Sequence, residues 1–363
     1  MNTSFDIIVV GAGPAGLMAA ITAGEHGASV MALEKMERPA RKLGITGKGR
    51  CNITNIKPEE EFLENIFPNP HFFRPAFRNF SNTDLVEYLN RIGLETVEER
   101  GGRVFPASQH SRDVVDVLVK EADKRAAIVR NSRVVEMITE QDSVTELRYY
   151  HHGKYVKASS RAVILATGGL SYPLTGSTGD GYEFARHAGH TIVPMQPSLT
   201  GLVLKDYEQI NASLKNVELS LVIDGGVVQR EFGEMQFTEY GINGPTVLTV
   251  SRNAVNAVMK NKKVEMQINL KPALKRQQLI NRIEREILSS PDGYVTDLMK
   301  KLLPVALVAP FIKKNSLPAN RKLSGFNSTD MEKTVNGLFS FKYPVISFRH
   351  FNEAIVTSGG VSL

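Results

Sequence analysis

Cysteine is nearly absent: Cys51 is the sole one in 363 residues. A lone thiol cannot close an internal disulfide, form a CxxC redox pair or build a multi-cysteine metal site, which excludes the disulfide reductases. Long apolar runs are missing too. No stretch approaches the roughly 20 residues that span a bilayer, and the N-terminus has no basic segment leading into a signal-type apolar core. A soluble cytoplasmic protein with no membrane partner is therefore expected. Charge of one sign is also in short supply. Lys and Arg number 44 against 38 Asp and Glu, and the formal +6 is spread along the chain, as on a solvated basic surface rather than a polyanion-binding stripe. At 42% hydrophobic and 23% charged the composition is globular, and the length predicts two or three domains.

What is present is concentrated between Phe5 and Lys35. Phe5-Asp6-Ile7-Ile8-Val9-Val10 is a β-branched run of the kind that forms a buried parallel strand. It stops at Gly11-Ala12-Gly13-Pro14-Ala15-Gly16, a helix-forming stretch follows from Leu17 to Ala23, and Gly27 ends it. Ala28–Leu33 reads as a second strand finishing at Glu34. In a GxGxxG turn, Gly11 permits the bend, Gly13 lets the backbone approach a pyrophosphate and Gly16 lets helix and strand pack closely. The unpaired N–H groups of the first helical turn then hold the phosphates. Glu34, eighteen residues past Gly16, is placed to accept the hydroxyls of a ribose. Strand, glycine turn, helix, strand and acid together predict dinucleotide binding.

Lys35 to Asn55 is a glycine-rich basic loop in which Arg38, Arg41, Lys42, Lys48 and Arg50 cluster, some of them placed to serve cofactor phosphates. Its core, Thr46-Gly47-Lys48-Gly49-Arg50-Cys51-Asn52-Ile53-Thr54-Asn55, resembles the signature of bacterial FAD-dependent flavoproteins labelled BaiN-like or aminoacetone oxidase-like. Thr46 and Lys48 depart mildly from the usual Ser-Gly-Gly-Gly before Arg-Cys-Asn. Similar matches follow at Gly102-Arg103-Val104-Phe105-Pro106, Leu165–Pro173, Thr175–Tyr182, Phe237–Pro245 and Thr357–Val361, so the resemblance runs the length of the chain.

That resemblance implies FAD as cofactor. It assigns Gly11, Gly13, Pro14, Ala15, Gly16, Glu34, Lys35, Lys42, Gly49, Thr167, Gly168, Gly169 and Asp180 to the dinucleotide, with the backbone of Val134 against the adenine. Arg50, Cys51 and Asn52 become flavin-side or substrate contacts; Cys51 is either a thiolate activated by Arg50 or a packed side chain. Family members also continue past Leu363 for about one α/β unit, carrying a helix whose N-terminus faces the flavin. On that ground a truncated chain retaining only nucleotide binding stays open as a non-enzymatic alternative.

The rest of the chain predicts an α/β fold. A Rossmann-type FAD-binding domain over residues 1–191 and 341–363 is interrupted by an inserted antiparallel, barrel-like β domain over 192–271 and a helical subdomain over 272–340. Ala127 to Ile138 reads as a third parallel strand running into a hairpin. His151-His152 lacks the cysteine or carboxylate spacing of a metal site and reads as a hairpin tip, so no metal is expected. Arg103 is either a ligand contact or a surface charge, and His190 reads as a helix-end residue. Lys300, Lys301, Lys313, Lys314, Arg321 and Lys322 suggest a basic helical face. The function expected is hydride transfer between flavin N5 and a small-molecule substrate, an amine or amino ketone or an enone, with reduction of a uridine in ribosomal RNA as the alternative. No second GxGxxG marks a nicotinamide domain, which leaves NAD(P)H docking briefly as the reductant.

Overall fold

The apolar run after Ser4 becomes the strand Ser4–Val10, and its neighbours follow from the same local pattern. In the computed structural model, which describes residues 4–141 and 143–363, this strand lies parallel to Val30–Leu33 on one side and to Lys154–Leu165 on the other. Ile7 faces both Val30 and Ala162, and Val10 faces both Leu33 and Leu165. Ala127–Val129 adds a fourth parallel strand beside Val30–Leu33. Ser132–Glu140 and Ser143–His151 continue the sheet antiparallel, through Lys154–Leu165. Strands buried on both faces need continuous rather than alternating apolar sequence, which is what Ile8, Val9 and Val10 supply.

As its sequence reads, Ala127 to Ile138 is a parallel strand running into a hairpin. The chain breaks at Asn131, whose φ is 52°, and restarts as the first strand of the antiparallel meander. His151 and His152 do sit at a hairpin turn, but His151 is half-buried and its Nδ1 lies 2.8 Å from the hydroxyl of the fully buried Ser132. The helix Pro14–Glu25 covers the sheet through Leu17 and Ile21, which pack with Val114 and Leu118 of the helix Ser111–Asp123. Burial of each such side chain is worth about 1.5–3 kcal/mol.

The chain divides into one unit of Met1–Pro194 with Gly359–Leu363, and a second of Met195–Ser358. The second unit is a closed barrel in the order Leu202–Leu204, Gly241–Asn243, Gly226–Phe237, Ala212–Ile223, Val264–Asn269 and Phe341–Phe348. The sequence places Phe341 onward with the dinucleotide fold; instead Phe341–Phe348 pairs with both Val264–Asn269 and Leu202–Leu204 and closes the barrel. Nor do the helices of residues 272–340 stand apart. Leu279, Ile283, Leu298, Phe311 and Leu338 share one core with Leu219, Met266 and Phe341, because their apolar stripes have no other surface to cover. Their cations are largely paired: Lys300 with Asp297 at 3.1 Å, Lys301 with Glu286 at 2.7 Å, Arg321 with Asp330 at 2.5 Å, Lys322 with Asp292 at 3.1 Å, and Lys313 with Glu208. Of the six cations of the basic face suggested by sequence, these five are in ion pairs and Lys314 lies over the Tyr343 ring.

Candidate cofactor and active site

Packing dictates the glycine turn at its two ends and leaves its middle open. A Cβ at Gly11, where φ is +99°, would lie 2.6 Å from the Ala166 carbonyl oxygen, and one at Gly16 would lie 1.8 Å from that of Gly11. One at Gly13 would meet nothing within 4 Å. Gly13 is also the N-cap of Pro14–Glu25, with no side chain capping the helix and Pro14 in its first turn. The first-turn N–H groups and the positive end of the dipole are thus left to an anion.

These residues border a cavity of about 370 Å³ inside the first unit. Of the positions expected at a cofactor, Gly11, Gly13, Pro14, Ala15, Glu34, Lys35, Lys42, Val134, Thr167, Gly168 and Asp180 line it. Gly16 lies behind the turn as the packing contact, and Gly49 and Gly169 are outside the lining. Arg38, Arg41, Ser132, Arg133, Ser177 and Phe184 join it. Of these, Ser132 was legible in principle: it stands two residues before Val134 and shares its face of the strand.

Glu34 is 8% exposed, and its carboxylate accepts the Ala12 N–H on one oxygen and the Met36 N–H on the other, each at 2.8 Å. A carboxylate has about four lone-pair sites, so acceptor capacity remains for sugar hydroxyls. Lys35 donates to Asp180 at 3.1 Å, and Arg133 stands 3.6 Å from the same carboxylate oxygen. Burial alone would raise the Asp180 carboxyl, but the hydrogen bonds from Thr178 and Lys35, with the charges of Lys35 and Arg133, outweigh it and hold the group below the ordinary range. Burial pushes the Lys42 ammonium down. Arg38, Arg41 and Lys42 have no ion-pair partner among the described residues, so three cations stand beside an uncapped helix start, an arrangement suited to an anion.

The Arg50-Cys51-Asn52 segment separates into three different environments. Cys51 is fully buried among Ala12, Leu17, Ala40 and Leu89, and burial raises its thiol against the smaller opposing effect of a bond with Thr46. Its burial supports the packed alternative of the two readings over a thiolate or substrate contact. Arg50 bonds Gln109 and Glu99 and lies over the Phe105 ring. Asn52 is exposed, with its Cβ next to Gly47. Arg103 lies on the same Phe105 ring at 5.9 Å and 4.0 Å from Glu99, so it belongs to this cluster. The polar loop Phe237–Pro245 lies in the second unit, where the Tyr240 hydroxyl accepts from Asn243 at 3.0 Å and its ring lies 4.5 Å beneath the Arg349 guanidinium.

The family model described as the HI0933-like protein Rossmann domain matches residues 5–363. The chain belongs to the HI0933-like family. Over 362 residues it is 25% identical to the 3-dehydro-bile acid delta(4,6)-reductase of Clostridium scindens, covering 97% of this chain and 86% of that protein. Over 361 residues it is 26% identical to the ribosomal RNA dihydrouridine synthase of Haemophilus influenzae, covering 99% and 87%. The corresponding protein of Escherichia coli is 27% identical, with 98% and 85% covered. The HI0933-like proteins are FAD-dependent oxidoreductases, and so is this chain. Among the described residues no helix is long and apolar enough to cross a membrane.

The cavity fits the dinucleotide. Its open middle at Gly13 gives room for the pyrophosphate, its three unpaired cations and helix start match the negative charge, and the buried Glu34 matches a ribose.

Proposed function

We propose that this HI0933-like protein reduces a carbon–carbon double bond conjugated to a carbonyl, in a small molecule of the 3-oxo steroid acid type, in the cytoplasm and with NAD(P)H as the reductant. One observation carries the reading. Relatives alike along 97% and 99% of the chain are named for hydrogen addition to such a bond, in a 3-dehydro-bile acid and in uridine. Both substrates are electron-poor alkenes in conjugation with C=O, so one chemistry accounts for both names.

FAD, when bound, supplies the hydride. The chain's own residues bind and orient. Gly11, Gly13 and the turn from Pro14 to Gly16 hold the pyrophosphate, with Arg38, Arg41 and Lys42 offsetting its charge. Glu34 takes the ribose hydroxyls, Lys35 and Asp180 close that end, Val134 backs the adenine, and Thr167 and Gly168 approach the ring system. Arg50 and Asn52 serve the substrate.

The uridine reading has its own support in the two dihydrouridine synthases. Against it, Lys300, Lys301, Lys313, Arg321 and Lys322 of the helical segment are paired with acidic side chains, which reduces the charge that face offers a phosphate backbone. Mixing the anaerobically reduced protein with a 3-oxo-4,6-diene steroid acid, and separately with uridine-containing RNA, decides between them. Oxidation of the flavin by the steroid with a product richer by two hydrogens supports the first reading. Reaction with RNA alone, weakening steeply with salt, supports the second. Hydrogen peroxide release with an amine would contradict both.

A further inference from the structure

Ser177 is a nearly buried serine whose hydroxyl meets no protein group. It is 7% exposed, lines the cofactor cavity and makes no side-chain hydrogen bond among the described residues. Buried hydroxyls are ordinarily paired, and an unpaired one costs free energy that a bound ligand recovers. Gly168 stands beside it on the same wall: a Cβ there would lie 2.9 Å from the Ser177 Oγ, so the missing side chain leaves the hydroxyl its room.

Ser177 rides on a segment that crosses the end of the sheet. Val30–Leu33 and Lys154–Leu165 flank Ser4–Val10 in parallel. Their carboxyl ends are therefore roughly 10 Å apart, with the glycine turn between them. The chain that leaves Leu165 reaches across that gap to the residues following Leu33. Lys35 Nζ donates to Thr178 Oγ1 at 2.5 Å and to Asp180 Oδ2 at 3.1 Å, and Thr178 donates to the other Asp180 oxygen at 2.9 Å. Next to this link a Cβ at Gly176 would lie 3.0 Å from Met36 Cγ. Thr175, Gly176 and Ser177 line the cavity, while Leu174 at the tip is exposed.

The tip holds its own shape. The Thr175 N–H and hydroxyl both donate to the Tyr172 carbonyl, at 2.8 and 2.7 Å, and the Gly176 N–H donates to the Pro173 carbonyl at 3.0 Å. Both ends turn at glycine, Gly168 with φ 73° and Gly179 with φ 86°. A self-bonded tip between two such turns can move as one piece, with the change absorbed at its ends.

We infer that residues 168–179 are a strap over the cofactor and that Lys35, holding Thr178 and Asp180, is its latch: the strap lifts to admit or release the dinucleotide and, once latched, sets the Ser177 hydroxyl against it. The inference rests on the assignment of this cavity to FAD. It separates two roles within one loop. Ser177 meets the ligand only after it has bound, so its loss changes departure alone. The latch stands in the way of arrival and departure alike.

The test reads rates rather than turnover. Flavin-free protein is mixed rapidly with FAD and followed by flavin fluorescence; release is followed from the holoenzyme with an excess of a flavin-scavenging apoprotein. In the unaltered protein the association rate should level off as FAD is raised, at the rate of strap opening. K35M should raise both that ceiling and the release rate about tenfold, and T178V should raise both by less. S177A should speed release about fivefold and leave the ceiling where it was. Amide hydrogen exchange over residues 169–178 should be faster in flavin-free K35M than in the unaltered protein, and FAD should slow it in the unaltered protein. An association rate that climbs linearly with FAD in the unaltered protein, a ceiling unmoved in both K35M and T178V, or exchange over 169–178 that FAD leaves unchanged would each overturn the inference. S177A indistinguishable from the unaltered protein would overturn the hydroxyl contact. If FAD does not bind the flavin-free protein, the cavity assignment fails and the strap with it; binding at rates indifferent to Lys35 removes the strap alone.

Discussion

Glu34 reaches back to the turn that precedes the first helix: its Oε2 accepts the backbone N–H of Ala12 at 2.8 Å. The acid at the tip of one strand thus fixes the glycine turn at the tip of its neighbour, and the Met36 N–H on the other oxygen fixes the carboxylate in turn. E34A leaves the Ala12 and Met36 N–H groups without acceptors. A hydrogen bond to a charged group is worth about 1.5–3 kcal/mol, so E34A should lower stability by at least that in denaturant titration. FAD affinity, read by fluorescence titration of the stripped protein, should fall on the order of tenfold or more. A variant with unchanged affinity would remove Glu34 from the cofactor site.

Gly13 and Gly16 should respond in opposite ways to the same added methyl. Gly16→Ala drives a Cβ against the Gly11 carbonyl, and overpacking of this kind costs about 1–3 kcal/mol. Gly13→Ala meets only the cavity, so the folded chain should melt within about 1 °C of the parent while losing FAD affinity. Melting curves and flavin titrations of the pair separate packing from binding. Equal destabilisation by both would contradict the assignment of the open space to a ligand.

Burial lowers the Lys42 ammonium without a compensating anion. For a base with a depressed value, the cost to the apo protein is full at neutral pH and disappears as pH rises past the unfolded value of about 10.4. K42M should therefore raise the melting temperature of the flavin-free protein at pH 7 and at the same time weaken FAD. If K42M melts lower than the parent without flavin, the charge is not the uncompensated one described.

Asp180 carries the opposite sign. Its folded carboxyl is depressed, so its contribution to stability is full above the unfolded value of about 3.9 and is lost as pH falls through the folded value. D180N should flatten the acid limb of stability against pH below about pH 4 and leave the curve above pH 6 parallel to the parent. Denaturant titrations across that range check it, and an unchanged acid limb would count against the Lys35–Asp180–Arg133 network.

Cys51 is inert by burial. Iodoacetamide should leave the native protein unmodified and label it fully in denaturant. C51A should keep its turnover and lose stability of about 1–2 kcal/mol, as small core deletions do. A large drop in turnover at unchanged stability would restore the thiol to the chemistry.

The sequence was informative where structure is local. From Phe5 to Glu34 each element is specified by its own residues, a β-branched run, three glycines at fixed spacing and an acid, and these form the wall of the cavity. Cys51 was not legible in the same way. Its surroundings come from Ala12, Leu17 and Leu89, distant in sequence, and nothing in Arg-Cys-Asn distinguishes an anchor from a nucleophile. The link from Lys35 to Asp180 spans 145 positions, beyond the reach of any spacing rule. Barrel closure by Phe341–Phe348 was hidden for a related reason: alternation announces a strand but not which sheet receives it. The lysine-rich helices look basic only while their acidic partners are out of view.

The central claim is reduction of a conjugated double bond, and one spectrum tests it most directly. The visible flavin band of the holoenzyme is bleached anaerobically with NADPH, and a 3-oxo-4,6-diene steroid acid is then added. The account predicts that the band returns in step with a product that has gained two hydrogens. A band that stays bleached with that steroid, with other enones and with uridine-containing RNA, yet returns at once with dioxygen, would contradict it.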